Sequence, residues 1–224
     1  ASLSRKDMLS LLEAAEHLGS VTTASEFIDY IEQRSGLIIG MGSDKDRSNN
    51  YQFVHRTLQE YLAGCYLASQ RDLARSFFEH SSDGDCWNLV VQLAFEEILY
   101  NRRSTNTLLD IAYHLCPYQE PKDQQTWRAL MWSGSIAALV GKNVIEDDTG
   151  SPDGGRIYLN RLLPYLISSL NCELSPQERA ESGRVLAHLG DPRSEVMTVG
   201  ALEFIEIPDG PFLMGGDKNR DPIV

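Results

Sequence analysis

The sequence predicts a mainly α-helical chain with one β-hairpin near its start and a return to strand-type residues near its end. Three observations carry that expectation. Apolar residues recur at helical spacing over most of residues 56–189. Two short runs, Leu37-Ile38-Ile39 and Tyr51-Gln52-Phe53-Val54, flank a polar, turn-rich loop. After a Gly-Asp-Pro stop at 190–192, Glu203-Phe204-Ile205-Glu206-Ile207 alternates with the period of a strand.

Taken in order, Ser4 is placed to cap a helix running to about Leu18, with Met8, Leu11, Leu12 and Ala15 on one face and Gly19 as its stop. A second helix starts after Thr22 or Thr23, carries Phe27, Ile28 and Ile31 as its apolar stripe, and ends at Gly36. The hairpin follows, its tip formed by GMGSDKDRSNN. Helix, helix, hairpin is the pattern of a winged-helix domain, expected over residues 1–70.

From His55 the chain is helical again, with Leu58, Tyr61, Leu62 and Cys65 on one face. Further helices are expected at about 71–80, 84–100, 105–116, 123–141, 156–171 and 176–189. The loops SSDGD, PYQEPKD and IEDDTGSPDGG separate them, which suggests an arm of stacked helical hairpins over residues 71–195 without a strict repeat. The last helix is the best marked: Ser175 and Glu178 form a capping box, Pro176 takes the first helical position, and Gly190 ends it. Residues 196–224 are expected to open a third, α+β domain, with a strand at 203–207, a Pro208-Asp209-Gly210 turn and another strand from Phe212-Leu213-Met214. An isolated strand pair is not stable in water, and the chain opens directly on a helix, so both ends are expected to continue in a longer protein.

Composition narrows the function. A net charge of -12 over 224 residues argues against a nucleic-acid-binding face, which needs clustered Lys and Arg. No apolar run reaches the roughly 18 residues of a membrane span, and no signal peptide opens the chain, so a cytoplasmic protein is expected. Cys65, Cys86, Cys116 and Cys172 form no CxxC pair and sit among apolar helical neighbours. They are expected to be small buried hydrophobes in a reducing compartment rather than metal ligands or disulfides.

Motifs for nucleotide chemistry fail one by one. Gly36, Gly40 and Gly42 would need a glycine where Lys45 stands, and Gly141-Lys142 is followed by Asn143. The acidic loop at 146–155 lacks calcium-loop order, with Pro152 and Tyr158 at the sixth and twelfth positions counted from Asp147, and reads as a solvated loop. No catalytic residue and no metal ligand is assigned. His55 is the single candidate: it stands where a strand gives way to a helix, and an N–H there can join the free backbone donors of the helix start on a phosphate oxygen. The plain alternative is a capping or packing histidine.

The stretch Phe53-Val54-His55-Arg56-Thr57-Leu58-Gln59-Glu60-Tyr61-Leu62-Ala63 resembles the F-x-H-x-x-x-Q-E-[FY]-x-A signature that closes the winged-helix domain of NACHT ATPases. These belong to the STAND class, with animal NOD-like receptors and bacterial antiphage relatives. The resemblance implies that His55 touches the β-phosphate of ADP held by the nucleotide-binding domain of the same protein and helps keep a closed state. It implies ATP/ADP as cofactor in a domain preceding residue 1, where the Walker elements would lie, and homo-oligomerisation on activation. It also implies Tyr61 facing the core, with Gln59 and Glu60 facing outward or towards a neighbouring domain.

A second stretch, Phe204-Ile205-Glu206-Ile207-Pro208-Asp209-Gly210-Pro211-Phe212-Leu213-Met214-Gly215, resembles the F-x-x-I-P-x-G-x-F-x-M-G opening of formylglycine-generating-enzyme-like domains of C-type-lectin-type fold. Ala187–Arg193 resembles the helix that leads into such domains in bacterial fusions. That family's oxidising cysteines lie far downstream, so none of the four cysteines here inherits the role. The resemblances together imply a regulatory segment that couples a ligand or protein sensed at the C-terminal side to nucleotide-dependent switching. The alternatives are a helical extension of a formylglycine-generating-enzyme-like oxidase, or of a ligand-binding protein.

Overall fold

A computed structural model describes residues 2–14, 19–41, 50–150, 154–202 and 204–211. Among them are eleven α-helices and one three-stranded antiparallel sheet. The chain divides into two compact units, Ala1–Gly190 and Asp191–Val224.

The first unit opens on strand β1 (Leu3–Ser4) and helix α1 (Arg5–Leu12), whose Ser4 hydroxyl accepts from Asp7 N as expected. The helix stops six residues before the expected Leu18; Leu11 is 59% exposed, and Ala15 lies outside the described residues. Helix α2 (Val21–Tyr30) is capped by Ser20, not by Thr22 or Thr23, because the Ser20 hydroxyl reaches Thr23 N at 3.1 Å. A π-helical turn, Ile31–Ser35, extends it to Gly36, which stops the helix in the left-handed conformation at φ 62°.

The hairpin strands are β2 (Ile38–Met41) and β3 (Asn50–Phe53); the tip residues 42–49 lie outside the described residues. Strand β1 pairs with the free side of β3, Leu3 opposite Tyr51, so β3 is central. The sheet and helices close a small core of Ile28, Ile38 and Tyr51, flanked by Met8, Leu12 and Phe53.

The arm comprises α3 (Arg56–Ala68), α4 (Leu73–His80), α5 (Asn88–Glu96), α6 (Thr105–Leu115), α7 (Gln124–Val140), α8 (Lys142–Asp147), α9 (Gly154–Ser169) and α10 (Pro176–Leu189). Helix α5 is shorter than the expected 84–100 span: a 3-10 turn, Asp85–Trp87, precedes it and a π turn, Glu97–Asn101, follows. Helix α8 starts three residues before the expected 145–155 loop and takes up its first three residues, 145–147. Asp148, read as a solvated loop residue, accepts from Tyr113 Oη at 2.6 Å and from Gly150 N. Burial pushes the Tyr113 phenol well up, and the carboxylate adds to the rise.

Helix α7 is the centre of this core. Apart from Ser135 it is buried from Trp127 to Ala137, and its polar side chains each fasten a different neighbour. Trp132 Nε1 donates to Asn88 at 2.7 Å, and Ser133 Oγ donates to Ala112 O and meets Tyr158 Oη. Arg128, 5% exposed, donates Nε to Glu178 Oε1 at 2.6 Å and Nη1 to Ser81 O at 2.5 Å. Glu178 belongs at the same time to the Ser175 capping box, its other oxygen accepting from Ser175 N. Burial alone would raise the Glu178 carboxyl; the Arg128 and Ser175 bonds outweigh it and hold the pKa below the usual value.

The second unit carries α11 (Ser194–Met197) and a 3-10 turn, Val199–Ala201, then a segment 204–211 without regular structure. The expected strand at 203–207 is not formed over its described residues: Phe204 is 83% and Ile207 88% exposed. Alternating side chains make a strand only where a neighbour takes up the backbone N–H and C=O groups. Phe212, Leu213 and Met214 lie outside the described residues. No helix among the described residues is long and apolar enough to cross a membrane.

Two substitutions check this packing. Glu178→Gln leaves the Arg128 charge without its partner, and urea unfolding is expected to show a loss of about 3–5 kcal/mol. Because the folded-state pKa of Glu178 is depressed, its contribution is fully present above the unfolded value near about 4.3 and is lost as pH falls through the folded value. The acid limb of the stability curve should therefore be shallower in Glu178→Gln; an identical limb would refute the linkage. Gly64→Ala would set a Cβ 2.9 Å from Val90 O, and a cost of about 1–3 kcal/mol is expected.

Candidate functional site

Strand β3 ends at Phe53, and Val54 N donates to Leu37 O at 3.1 Å, which fixes the direction of the exit. His55 follows in extended conformation, φ -123° and ψ 127°, and serves as the N-cap of α3. Its carbonyl accepts from Leu58 N and Gln59 N, but its side chain makes no capping bond. The residue is exposed, and among the described residues its ring has no hydrogen bond or ion pair. The helix therefore begins with no side chain on its N-terminal donors and with an imidazole in solvent beside them.

Two anchors hold this arrangement from behind. In front of the helix, Arg5 Nη1 donates to Tyr51 Oη at 2.7 Å while Nη2 reaches Ser25 and Asp29, both at 2.9 Å, and Tyr51 Oη donates to Glu32. Burial raises the Tyr51 phenol against the pull of Arg5. This network ties α1, α2, the π turn and β3 into one frame. At the far end of α3, Gly64 lies against the α5 backbone and Arg102 Nη1 caps Ala68 O at 2.7 Å.

The buried face of α3 is Gly64, Leu67 and Ala68, which corrects the expected Leu58-Tyr61-Leu62-Cys65 face. Tyr61 and Leu62 are 40% and 41% exposed, so Tyr61 does not face the core. Its hydroxyl meets the Cys65 thiol one turn on, which raises its pKa. Glu60, expected outward, is largely covered and paired with Arg56 at 2.8 Å. The reason is steric: the small residues let α3 approach α5 closely, and that gain outweighs burial of the larger residues.

An open apolar cavity of about 570 Å³ lies beside the site, walled by Met8, Phe27, Ile38, Phe53 and Leu62, with Gln59 on its edge. The cysteines are all free; Cys116 is buried, Cys65 and Cys172 are partly covered, and Cys86 is exposed, contrary to the expectation that all four are buried. Sequence reasoning missed Arg5, Asp29 and Tyr51, because the partners come from four separate segments. The one available signal was the Ser25–Asp29 spacing, which places both acceptors on one face of α2.

No known protein family, curated protein or solved structure matches the chain.

If His55 has no structural duty, its replacement should be nearly free. His55→Ala is expected to change unfolding free energy by less than about 0.5 kcal/mol. His55→Ser, which can accept from the open donors, is expected to stabilise by about 0.5–1 kcal/mol. A loss above about 1 kcal/mol in the alanine variant would assign the ring to packing.

Proposed function

We propose that this chain is the regulatory, sensor-proximal segment of a bacterial, cytoplasmic NACHT-type signalling ATPase. In this reading residues 1–70 form a winged-helix domain, 71–195 a helical arm, and 196–224 the start of a formylglycine-generating-enzyme-like domain. The observation that carries it is the unbonded, exposed imidazole of His55 at the open N-terminus of α3, directly after a hairpin, within the matching Phe53–Ala63 signature. The helix, helix, hairpin succession ahead of it agrees.

The mechanism is a two-state switch. His55 donates to the β-phosphate of ADP bound by the nucleotide-binding domain and ties that domain to the winged helix. A ligand or protein sensed on the C-terminal side biases the arm, the tie breaks, ATP replaces ADP and the protein oligomerises. Moving such an equilibrium decisively takes about 5.5 kcal/mol of differential binding. One charge-assisted hydrogen bond supplies about 1.5–3 kcal/mol, so His55 is part of the lock and not the whole of it.

The alternative, a helical extension of a formylglycine-generating-enzyme-like oxidase or binding protein, draws on the Phe204–Gly215 likeness alone. Full-length protein separates the two. His55→Ala is expected to lose co-purifying ADP, read by chromatography of the denatured protein, and to raise basal signalling. ADP content and basal output both at the wild-type level would remove the sensor role.

A further inference from the structure

We propose that residues 2–54 form a head that swings on the helical arm about the Val54–His55 link, opening and closing the apolar cavity between them. The hinge needs no nucleotide chemistry at His55; it follows from the packing on either side of that residue. The two sides have separate cores. The head buries Ile28, Ile38 and Tyr51, flanked by Met8, Leu9, Leu12, Ile31 and Phe53, all from residues 8–53. The arm core begins at Leu67 and Ala68 and runs to Leu189.

Helix α3 bridges the two cores in sequence but packs with only one of them. None of residues 56–63 is buried. Its buried positions are Gly64, set against the α5 backbone, and Leu67 and Ala68 in the arm core. The helix therefore moves with the arm, because packed interiors have few voids to absorb a displacement. On the head side the packing is open. The cavity of about 570 Å³ is lined by Leu3, Leu11 and Phe27 from the head and by Gln59 and Leu62 from α3. Closing it covers apolar walls that now stand 40–59% exposed at Leu3, Leu11, Phe27 and Leu62, which gives the swing a favoured direction.

Polar ties divide at the same place. Arg5 bonds to Ser25, Asp29 and Tyr51, and Tyr51 to Glu32, all within the head. Arg56 pairs with Glu60 and Arg102 caps Ala68, both within the arm. Among the described residues no side-chain hydrogen bond or ion pair joins 2–54 to 56–190. The backbone bonds part there too. Val54 N donates to Leu37 O on the head, and His55 O accepts from Leu58 N and Gln59 N on the arm. The Val54 carbonyl and the His55 N–H, which belong to the peptide between, make no hydrogen bond among the described residues. Rotation about Val54 ψ and His55 φ therefore breaks neither bond and opens neither core, as a hinge at the end of an element requires. His55 lies on the pivot, so it keeps its place relative to both bodies while the surfaces beside it turn.

The test is double electron–electron resonance on the 224-residue chain. Nitroxides are placed on Tyr30→Cys in the head and Tyr100→Cys in the arm, and for reference on Tyr100→Cys with Ile157→Cys, all at sites more than half exposed. Cys65, Cys86 and Cys172 are replaced by Ser, and the buried Cys116 stays. The head–arm distance distribution is expected to be about twice as wide as the reference, and Leu62→Trp, which fills the cavity, to narrow it. Equal widths, or a wide distribution that Leu62→Trp leaves unchanged, would overturn the hinge. Native-state hydrogen exchange checks the same division without labels. Tyr51→Phe removes the bonds to Arg5 and Glu32, and is expected to speed exchange over 20–41 and 50–53 about tenfold while 88–189 keeps its wild-type rates. Acceleration shared by the arm, or none in the head, would count against two separate bodies.

Discussion

The ion pair of Arg128 and Glu178 sets the geometry on which the rest of the helical unit depends. Fifty residues apart in sequence, the two side chains are almost wholly buried and bring three elements to one point: the end of α4 through Ser81 O, the second turn of α7, and the start of α10. An ion pair in this setting adds little net stability over a well-packed apolar substitute, because both charges leave water. What it does impose is position. The guanidinium has one arrangement in which Nε and Nη1 are both satisfied, and the carboxylate has one in which it also closes the capping box. Helix α10 is thereby fixed along α7 in register.

The surroundings of His55 are governed by the same economy of contacts, at a different place. Among the described residues no hydrogen bond or ion pair holds the ring, yet its location is closely determined. The Arg5 network locks the sheet to the first two helices, the Val54–Leu37 bond sets the strand exit, and the Gly64 and Arg102 contacts clamp the far half of α3. The N-terminal half of α3 is left exposed, with Tyr61 and Leu62 partly in solvent. A histidine positioned entirely by its backbone is free to bond to something outside the unit.

Features encoded within a few residues were legible in the sequence. The Ser4 cap, the Gly36 stop, the hairpin and the Ser175–Glu178 box all depend on local backbone chemistry and were found. Features that depend on distant partners were not. The two-residue strand β1 exists only because β3 offers a free side, and the short helix α8 runs from Lys142 into the start of the expected 145–155 loop. The face of α3 was misjudged because two apolar stripes share that helix, and the choice between them was made by the fit of Gly64 against Val90 O. Over the described residues of 203–207 the alternating pattern forms no strand, and among the described residues no ladder neighbour lies beside it. For the candidate site, the position of His55 between strand and helix was readable from sequence; its exposure and lack of any bond were not.

Helix α3 also joins the candidate site to the helical arm. His55 caps its start, and Gly64 lies nine residues on, about 13 Å along the axis. At that point the backbones of α3 and α5 are close enough that a single methyl group would not fit. Helix α5 in turn packs on α7 through Val91 and Phe95, which are buried in the arm's core. Packed interiors transmit displacement because they have few voids to absorb it. A shift of either helix at that seam therefore has to be shared by the other.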